Sequence, residues 1–574
     1  MAETLISPGV LARENDSSFV SKRPVIVGAA IIGPTVKGPV EVPTVCTTYS
    51  QFTTLFGTTF ISGSATDSQT YSYFTSTAAY NYFINGGTSL LVARVVSGSY
   101  TSATSSLIPT GSGGPTSGLS PFVLSTFSKG IIMNSDCTEV SGALLASGSA
   151  DNVRWQIVNA NTGSGTFDLL VRRGDDNTLT PTVLETWTGL SLDPLAGNYI
   201  SRVIGDQVQN YNSTNVQMEI SGSYANRSNY IYVKQVNFTT PNYFDNNGVA
   251  KNQYTGSIPV NASGAFSGAV GTIKGGALFY DKISSANTQG LVGGNYDNMI
   301  NLLSNKDDYQ FNVLLTPGLY DGDYSSQISS IITNTQNRGD NIFVLDPVKY
   351  NSNVSSVVAS AATRNTSYAA EYWPWCQIVD PGTGNLAWVP ASTVIAGVYA
   401  YNDSVSEPWF APAGINRGGL SQVIRAEQKL SQTSRDTLYT GKVNPIATFP
   451  GQGIVVYGQK TLQTKASALD RVNVRRLLIS LKSYISQVAN NLVFEQNTIV
   501  TRNTFLSQVN PYLTSVQQRQ GLYAFKVVMD DTNNTTDVID RNELRGQIYL
   551  QPTKTAEFIY LDFNVTPTGA SFPA

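Results

Sequence analysis

The chain has 574 residues, more than one hydrophobic core can absorb, so three or four domains are expected. It is 41% hydrophobic but only 13% charged, and Ser, Thr, Asn and 49 Gly fill the remaining positions, a surface suited to packing against other protein. With 36 basic against 39 acidic side chains, its formal net charge of -3 argues against a general binder of nucleic acid or membrane surfaces.

Histidine is absent, which removes the commonest general base and the commonest metal ligand. Cys46, Cys137 and Cys376 are odd in number and far apart, so they supply neither a disulfide framework nor a zinc spacing and read as buried small hydrophobes. The start, MAETLISPGVLAREND, lacks the charged and apolar regions of a signal peptide, and no apolar run approaches the ~20 residues needed to cross a bilayer. A protein made and kept in a reducing cytosol until assembly is expected.

Residues 1–24 form an extended arm in which Pro8 and Gly9 interrupt the apolar Leu5, Ile6, Val10 and Leu11. Such an arm cannot bury itself. It is either disordered or added as a strand to a neighbour's sheet. Residues 25–97 open the globular core: a buried strand over 25–32, turns at Gly33-Pro34 and Gly38-Pro39, helical spacing through Phe52, Leu55 and Phe56 and again over 71–84, then a strand over 89–96. Across residues 98–275 the composition shifts to Ser, Thr, Gly and Asn. WQIVNA from Trp155, TFDLLVRR from Thr166, VLETW from Val183 and SNYIYVKQVNF from Ser228 read as strands between turns. This predicts an inserted all-β protruding domain, placed where a loop lengthens cheaply.

Alternation resumes over residues 276–448. FNVLLTPG from Phe311 and NIFVLDP from Asn341 are buried strands, and helical spacing through Ile328, Ile331 and Ile332 lies between them, a right-handed parallel crossover. Residues 449–574 close the chain. The strand in FPGQGIVVYGQKTL leads to a helix after Asp470 with an apolar stripe at Val474, Leu477, Leu478, Leu481, Ile485, Val488 and Leu492. Arg471, Arg475 and Lys482 fall along the edge of its polar face, either a solvated basic face or a ridge for an acidic partner. Two short helices are expected over 502–509 and 511–518, with Asn510 as cap and Pro511 at the first helical position. Strands LYAFKVVM from Leu522, LRGQIYLQP from Leu544 and EFIYLDFNV from Glu557 follow. In the last, Ile559, Leu561, Phe563 and Val565 share one face. Ending almost at the terminus, it is free to pair with another chain. The fold class is thus α/β and multi-domain, with an all-β insertion and extended terminal arms.

Chemistry is only approached. GIVVYGQKT, from Gly453, puts Gln459 where a phosphate-binding loop needs Lys. DDTNNTTDVID, from Asp530, lacks the spacing, central glycine and closing glutamate of a calcium loop and reads as a hairpin turn. Asp321 and Asp323 in YDGDY are a candidate acid and base, but acidic turns after strands are common. No catalytic, cofactor-binding or metal residue is assigned.

Several segments resemble the contractile tail sheath family of bacteriophages and related injection machines. ISPGV, GAAIIGPTVKGPVEVPT and FTTLFG are similar to its opening. TFDLLVRRGDD, VLETWTGLSLDP and NYISRVIG resemble its β-rich domain, and YWPWCQIVDPGTGN, VPAS, AGVYAYND and WFAPAGINRGG its central signature. FPGQGIVVYGQKTL, VNVRRLLISLKSYI, NLVFEQN and KTAEFIYLDF resemble its carboxy-terminal domain. Tyr457 and Gln459 depart from the Trp and the Ala or Arg common there.

The resemblance implies a virion subunit, made in the host cytoplasm, that stacks as hexameric rings around a tail tube protein in a metastable extended state. Contraction without nucleotide hydrolysis then drives the tube through the host envelope. Baseplate and tail terminator proteins are implied partners; cofactor, nucleic acid and membrane insertion are not. Inter-subunit strand exchange is implied for Leu5, Ile6, Val10 and Leu11 and for Ile559, Leu561, Phe563 and Val565, with residues 12–23 as a hinge, and tube contact for Arg471, Arg475 and Lys482. A second reading is a decoration or fibre-like protein whose insertion binds carbohydrate, with Trp155 and Trp187 stacking on sugars. An α/β enzyme is the third.

Overall fold

The strand Ile26–Gly33 has no polar side chain, and a strand apolar on both faces is stable only in a sheet covered on both sides. In the computed structural model, which describes residues 26–64, 67–111, 118–136, 144–273 and 280–560, it is an inner strand, third in order, of an eight-stranded sheet. The expected amino-terminal arm, Cys137, and Leu561, Phe563 and Val565 lie outside the described residues. Leu90–Arg94 and Gln310–Tyr320 flank Ile26–Gly33 in parallel. Parallel pairing continues through Ile342–Asp346, Ala369–Trp373 and Val443–Phe449. Two short antiparallel strands, Thr44–Cys46 and Gly453–Val456, close the edges.

Successive side chains of a strand face opposite layers. Ala29, Ile31, Leu90, Val92, Val313 and Leu315 join one core with the helices Phe74–Ile84 and Ser392–Val405. Ala30, Ile32, Leu91, Ala93 and Leu314 join a second core with Ser325–Arg338 and Val354–Ala362. Cys46 and Cys376 are buried in the first core, as expected of small hydrophobes, and burial pushes the Cys46 thiol up to about 12.

Doubly wound sheets of this strand order take ligands in the crevice at the carboxyl ends of their strands, where the order reverses. Here Gln289 occupies that crevice. Its side-chain oxygen accepts from the Phe74 amide at 2.9 Å, capping the helix Phe74–Ile84, and its nitrogen donates to the Pro317 carbonyl at 3.1 Å. Buried Arg94 donates beside it to the carbonyls of Gly38 at 2.6 Å and Lys129 at 3.0 Å. The cavity left between Tyr73, Arg94 and Gln289 is about 20 Å³.

Between Leu90–Arg94 and Gln310–Tyr320 the chain builds a seven-stranded sheet whose pairings are all antiparallel. It contains the expected strands as Val153–Asn161, Thr166–Arg173, Val183–Ser191 and Ile231–Val236. Its core centres on Phe122, Trp155 and Phe167. Trp155, offered above for sugar stacking, is 1% exposed and donates to Ser106 Oγ at 3.3 Å. Trp187 is half-buried against the same core and donates to Glu185 at 3.2 Å.

The carboxy-terminal part pairs the helix Val472–Asn490 with Ile499–Gln518. The expected break at Asn510-Pro511 does not occur. Proline in a helix interior costs about 3 kcal/mol, but Phe505, Val509, Leu513 and Val516 share one core with Leu477 and Leu481, which holds both halves in line. Thr498, rather than Asn510, caps the helix. Leu522–Val528 and Gln547–Pro552 then form a two-stranded antiparallel hairpin.

Gly397, inside Ser392–Val405, is needed for close helix packing: an added Cβ would stand 2.6 Å from the Asn81 carbonyl oxygen of the facing helix. Gly397→Ala is therefore expected to destabilise the core by about 2 kcal/mol. Chemical denaturation followed by tryptophan fluorescence measures this, and an unchanged midpoint would mean that the two helices part freely.

Candidate functional site

The enzyme-like candidates resolve into structure. Asp321 is buried and gripped by the Arg364 guanidinium, whose Nε lies 2.9 Å from Oδ2. An acid committed to a structural ion pair is not poised for proton transfer to Asp323. Glu371 is the most perturbed carboxyl: burial, then the charge of Asp321, raise its pKa well above the ordinary range. It is 0% exposed within the central sheet, whereas catalytic acids sit in clefts. Asp346, pushed up to about 7 by burial, accepts from the Ser392 amide at 2.9 Å and hydroxyl at 2.5 Å, so it serves as a helix cap. Gly453–Val456 is followed by no helix that a phosphate loop would open, and Lys460 donates to the Tyr439 carbonyl at 2.7 Å. The acidic turn after Asp530 leads into the short helix Thr536–Asp540 within the hairpin connection, and no group of metal-binding side chains occurs among the described residues.

What the carboxy-terminal part does offer is backbone. The two hairpin strands, seven and six residues long, form a sheet of their own, so their outer edges have no strand partner among the described residues. Beyond Gln547–Pro552 the chain runs extended, tied at alternate residues. Thr553 bonds through its amide to the Gly521 carbonyl at 3.2 Å and through its hydroxyl to the Gln520 carbonyl at 2.7 Å. Thr555 accepts from Asn473 at 3.3 Å.

Glu557 makes the strongest tie. Arg471, at the cap of the helix Val472–Asn490, grips its carboxylate with Nε at 2.7 Å and Nη2 at 3.0 Å. The Tyr439 hydroxyl donates at 2.5 Å and the Gln459 amide at 3.0 Å. Burial alone would raise the Glu557 pKa, but the Arg471 fork, the phenol and the amide outweigh it and hold the carboxyl below its ordinary value. A depressed acid contributes stability above the ordinary glutamate range of ~4.3 and loses it as the pH falls through the folded value. The clasp is thus fully formed at neutral pH. Immediately after it, Phe558, Ile559 and Tyr560 are 68%, 75% and 88% exposed and form no strand within the single chain.

The three cations named from the sequence do not form one solvent-facing ridge. Arg471 is in the clasp. Arg475 is 4% exposed, with its guanidinium 3.9 Å from the Tyr368 ring centre and Nε donating to the Ser367 carbonyl at 3.2 Å. Lys482 is exposed, 3.4 Å from the Tyr368 hydroxyl. Periodicity identified the apolar side of the helix, but its polar side also packs, against residues 367–368 of the central sheet unit. Sequence reasoning missed Arg476, which pairs with Asp403 at 2.5 Å and lies over the Tyr399 ring, as well as Tyr439 and Glu557. Arg476 sits beside the apolar stripe, a position that signals a buried cation; no local pattern links Arg471 to a carboxylate so distant in sequence.

The crevice is thus filled, the second sheet is antiparallel, and the carboxy-terminal hairpin has outer edges without a strand partner among the described residues. Residues 294–462 match the family described as phage tail sheath protein central domain, and residues 464–566 match phage tail sheath C-terminal domain. Those residues, which make up less than half of the chain, belong to the phage tail sheath family. The chain is similar to the tail sheath proteins of Vibrio phage KVP40, at 49% identity over 185 residues, and of Enterobacteria phage T4, at 42% over 185 residues. In both cases the match covers 32% of this chain and 28% of the relative. Its fold is similar to that of a sheath tail protein from Listeria innocua, with a TM-score of 0.54 at 10% identity, covering 92% of this chain and 96% of that one. No helix among the described residues is long and apolar enough to cross a membrane.

Removing Arg475 leaves the Tyr368 face and Ser367 carbonyl without their cation. Arg475→Ala is expected to lower stability by about 2 kcal/mol, while Lys482→Ala leaves the denaturation midpoint where it was. Equal midpoints for both variants would contradict the placement of Arg475.

Proposed function

We propose that this chain is the subunit of a contractile tail sheath. Subunits stack as hexameric rings around a tail tube protein, between baseplate and terminator proteins, in a metastable extended state. Contraction drives the tube through the host envelope with free energy stored in subunit interfaces, so no nucleotide is hydrolysed and no cofactor is used. The observation that carries this reading is the open-edged hairpin Leu522–Val528/Gln547–Pro552 beside an exposed chain end that begins at Phe558. Strand addition satisfies both: main-chain hydrogen bonds from a neighbour complete the sheet, and alternate side chains find pockets. Leu5, Ile6, Val10 and Leu11 of one neighbour and Ile559, Leu561, Phe563 and Val565 of another are the proposed donated strands, with residues 12–23 as hinge.

The remaining parts take their places around this joint. Residues 25–97 and 276–448 form the sheath core, residues 98–275 are an inserted domain that protrudes from it, and residues 449–574 form the inward domain. Because Arg471 and Arg475 are engaged within the chain, tube contact falls to Lys482 and its surroundings. A screened, surface-level attraction suits a contact that must release. The carbohydrate-binding alternative loses support with the burial of Trp155.

Negative-stain electron microscopy of the purified full chain tests the joint. Long hollow tubes are expected from the full chain, and none from a chain lacking residues 1–24. Tubes from both would remove the arm from the joint, and discrete small particles from both, even on co-expression with the tube protein, would remove the sheath assignment. Lys482→Glu is expected to leave these empty tubes intact but to reduce co-purification of the tube protein several-fold; unchanged co-purification would exclude Lys482 from that contact.

A further inference from the structure

The strand-exchange reading leaves open where the donated segment begins, and the geometry around Glu557 answers this. A carboxylate held by an arginine fork, a phenol and an amide is over-determined for an extended tail that otherwise makes only alternate-residue contacts. Its partners come from three separate elements: Tyr439 from the helix Gln432–Thr440, Gln459 from the chain beyond Gly453–Val456, and Arg471 from the start of Val472–Asn490. The boundary is sharp, since the next three residues are all more than two-thirds exposed.

We propose that Tyr439, Gln459 and Arg471 clasp Glu557 as the fixed root of the segment given to a second copy of this chain, so that its free length starts at Phe558. This rests on the strand-exchange reading above. At ~3.3 Å per residue, residues 558–565 reach at most about 26 Å from Glu557, which limits how far away the accepting hairpin of the neighbouring copy stands. Opening the clasp, together with the single Asn473–Thr555 bond, would free residues 554–557 and add about 13 Å of reach. The clasp therefore makes the tether a two-length device: short while Glu557 is held, longer once it is released.

The test uses the full-length protein and trypsin at the exposed Lys554, because proteolysis needs several residues around the bond to leave the surface together. In dilute, unassembled protein, Glu557→Gln and Tyr439→Phe are each expected to speed release of the fragment starting at Thr555 at least tenfold, with only a small drop in the thermal midpoint. In assembled material, Glu557→Gln is expected to give tubes of irregular subunit spacing. Release at the parent rate in both variants overturns the clasp, as does faster release combined with tubes identical to the parent's. A chain ending at Glu557 separates this from the exchange reading: it retains the clasp but lacks the donated segment, so tubes formed by it would overturn exchange while the trypsin rates still judge the clasp.

Discussion

A strand that exposes its edge must be paired, covered or shortened, because unpaired amide and carbonyl groups template association with other chains. The central sheet meets this constraint within one chain. Its edge strands are three and four residues long. Gly453–Val456 is further sealed by the loop over residues 414–420: the Gly414 amide donates to the Val456 carbonyl, the Val456 amide to the Gly418 carbonyl and the Leu420 amide to the Ile454 carbonyl, all within 2.9 Å. The hairpin Leu522–Val528/Gln547–Pro552 has longer strands and no comparable seal among the described residues. The central sheet is thus closed within the chain, whereas this hairpin, like the two-stranded sheets Thr59–Ser64/Asp67–Ser72 and Val208–Asn212/Gln217–Ser221, has no further strand partner among the described residues.

The doubly wound core follows from the same economy. Its crevice, the usual place for a ligand, is filled by Gln289, which caps one helix and bonds to a strand carbonyl, and by Arg94, which ties two loops. Perturbed carboxyls occur, but inside: Glu371 within the sheet and Asp346 beneath a helix start. Asp346 caps the helix Ser392–Val405, Glu371 is enclosed within the sheet, and Gln289 and Arg94 bond to backbone, so the crevice of this fold is packed. A rigid core is what a subunit needs if conformational change is to be confined to the chains between subunits.

Much of this was legible in the residues. Apolar runs such as GAAII announce strands buried on both faces, and alternation such as TFDLLVRR announces half-buried ones. The stripe from Val474 to Val488 placed the carboxy-terminal helix, because burial of one face imposes the 3.6-residue period. The errors share a cause. Periodicity records which residues are apolar, not what stands opposite the polar ones, so Arg475 was assigned to solvent when Tyr368 lay against it. Pro511 was read as a helix start because the local cost of proline is visible in sequence, whereas the core contacts of Val509 and Leu513 that outweigh it are not. Glu557 looked like the first residue of a strand. Its partners lie 86, 98 and 118 residues away in Arg471, Gln459 and Tyr439, beyond the reach of any local pattern.

Where those partners reside determines how force travels. If the chain end were held only by the hairpin it follows, tension on Phe558 would act on Gln547–Pro552 directly and peel it from Leu522–Val528 one hydrogen-bonded pair at a time. Glu557 is instead held by Tyr439 and Gln459, which flank strands of the central sheet, and by Arg471, where the long helix leaves it. Tension therefore passes into the most deeply buried part of the molecule and loads several charge-assisted hydrogen bonds together, a geometry far more resistant than sequential peeling. Under the strand exchange proposed above, the hairpin would accept strands while the chain end beside it is anchored elsewhere, so giving and receiving would load different contacts.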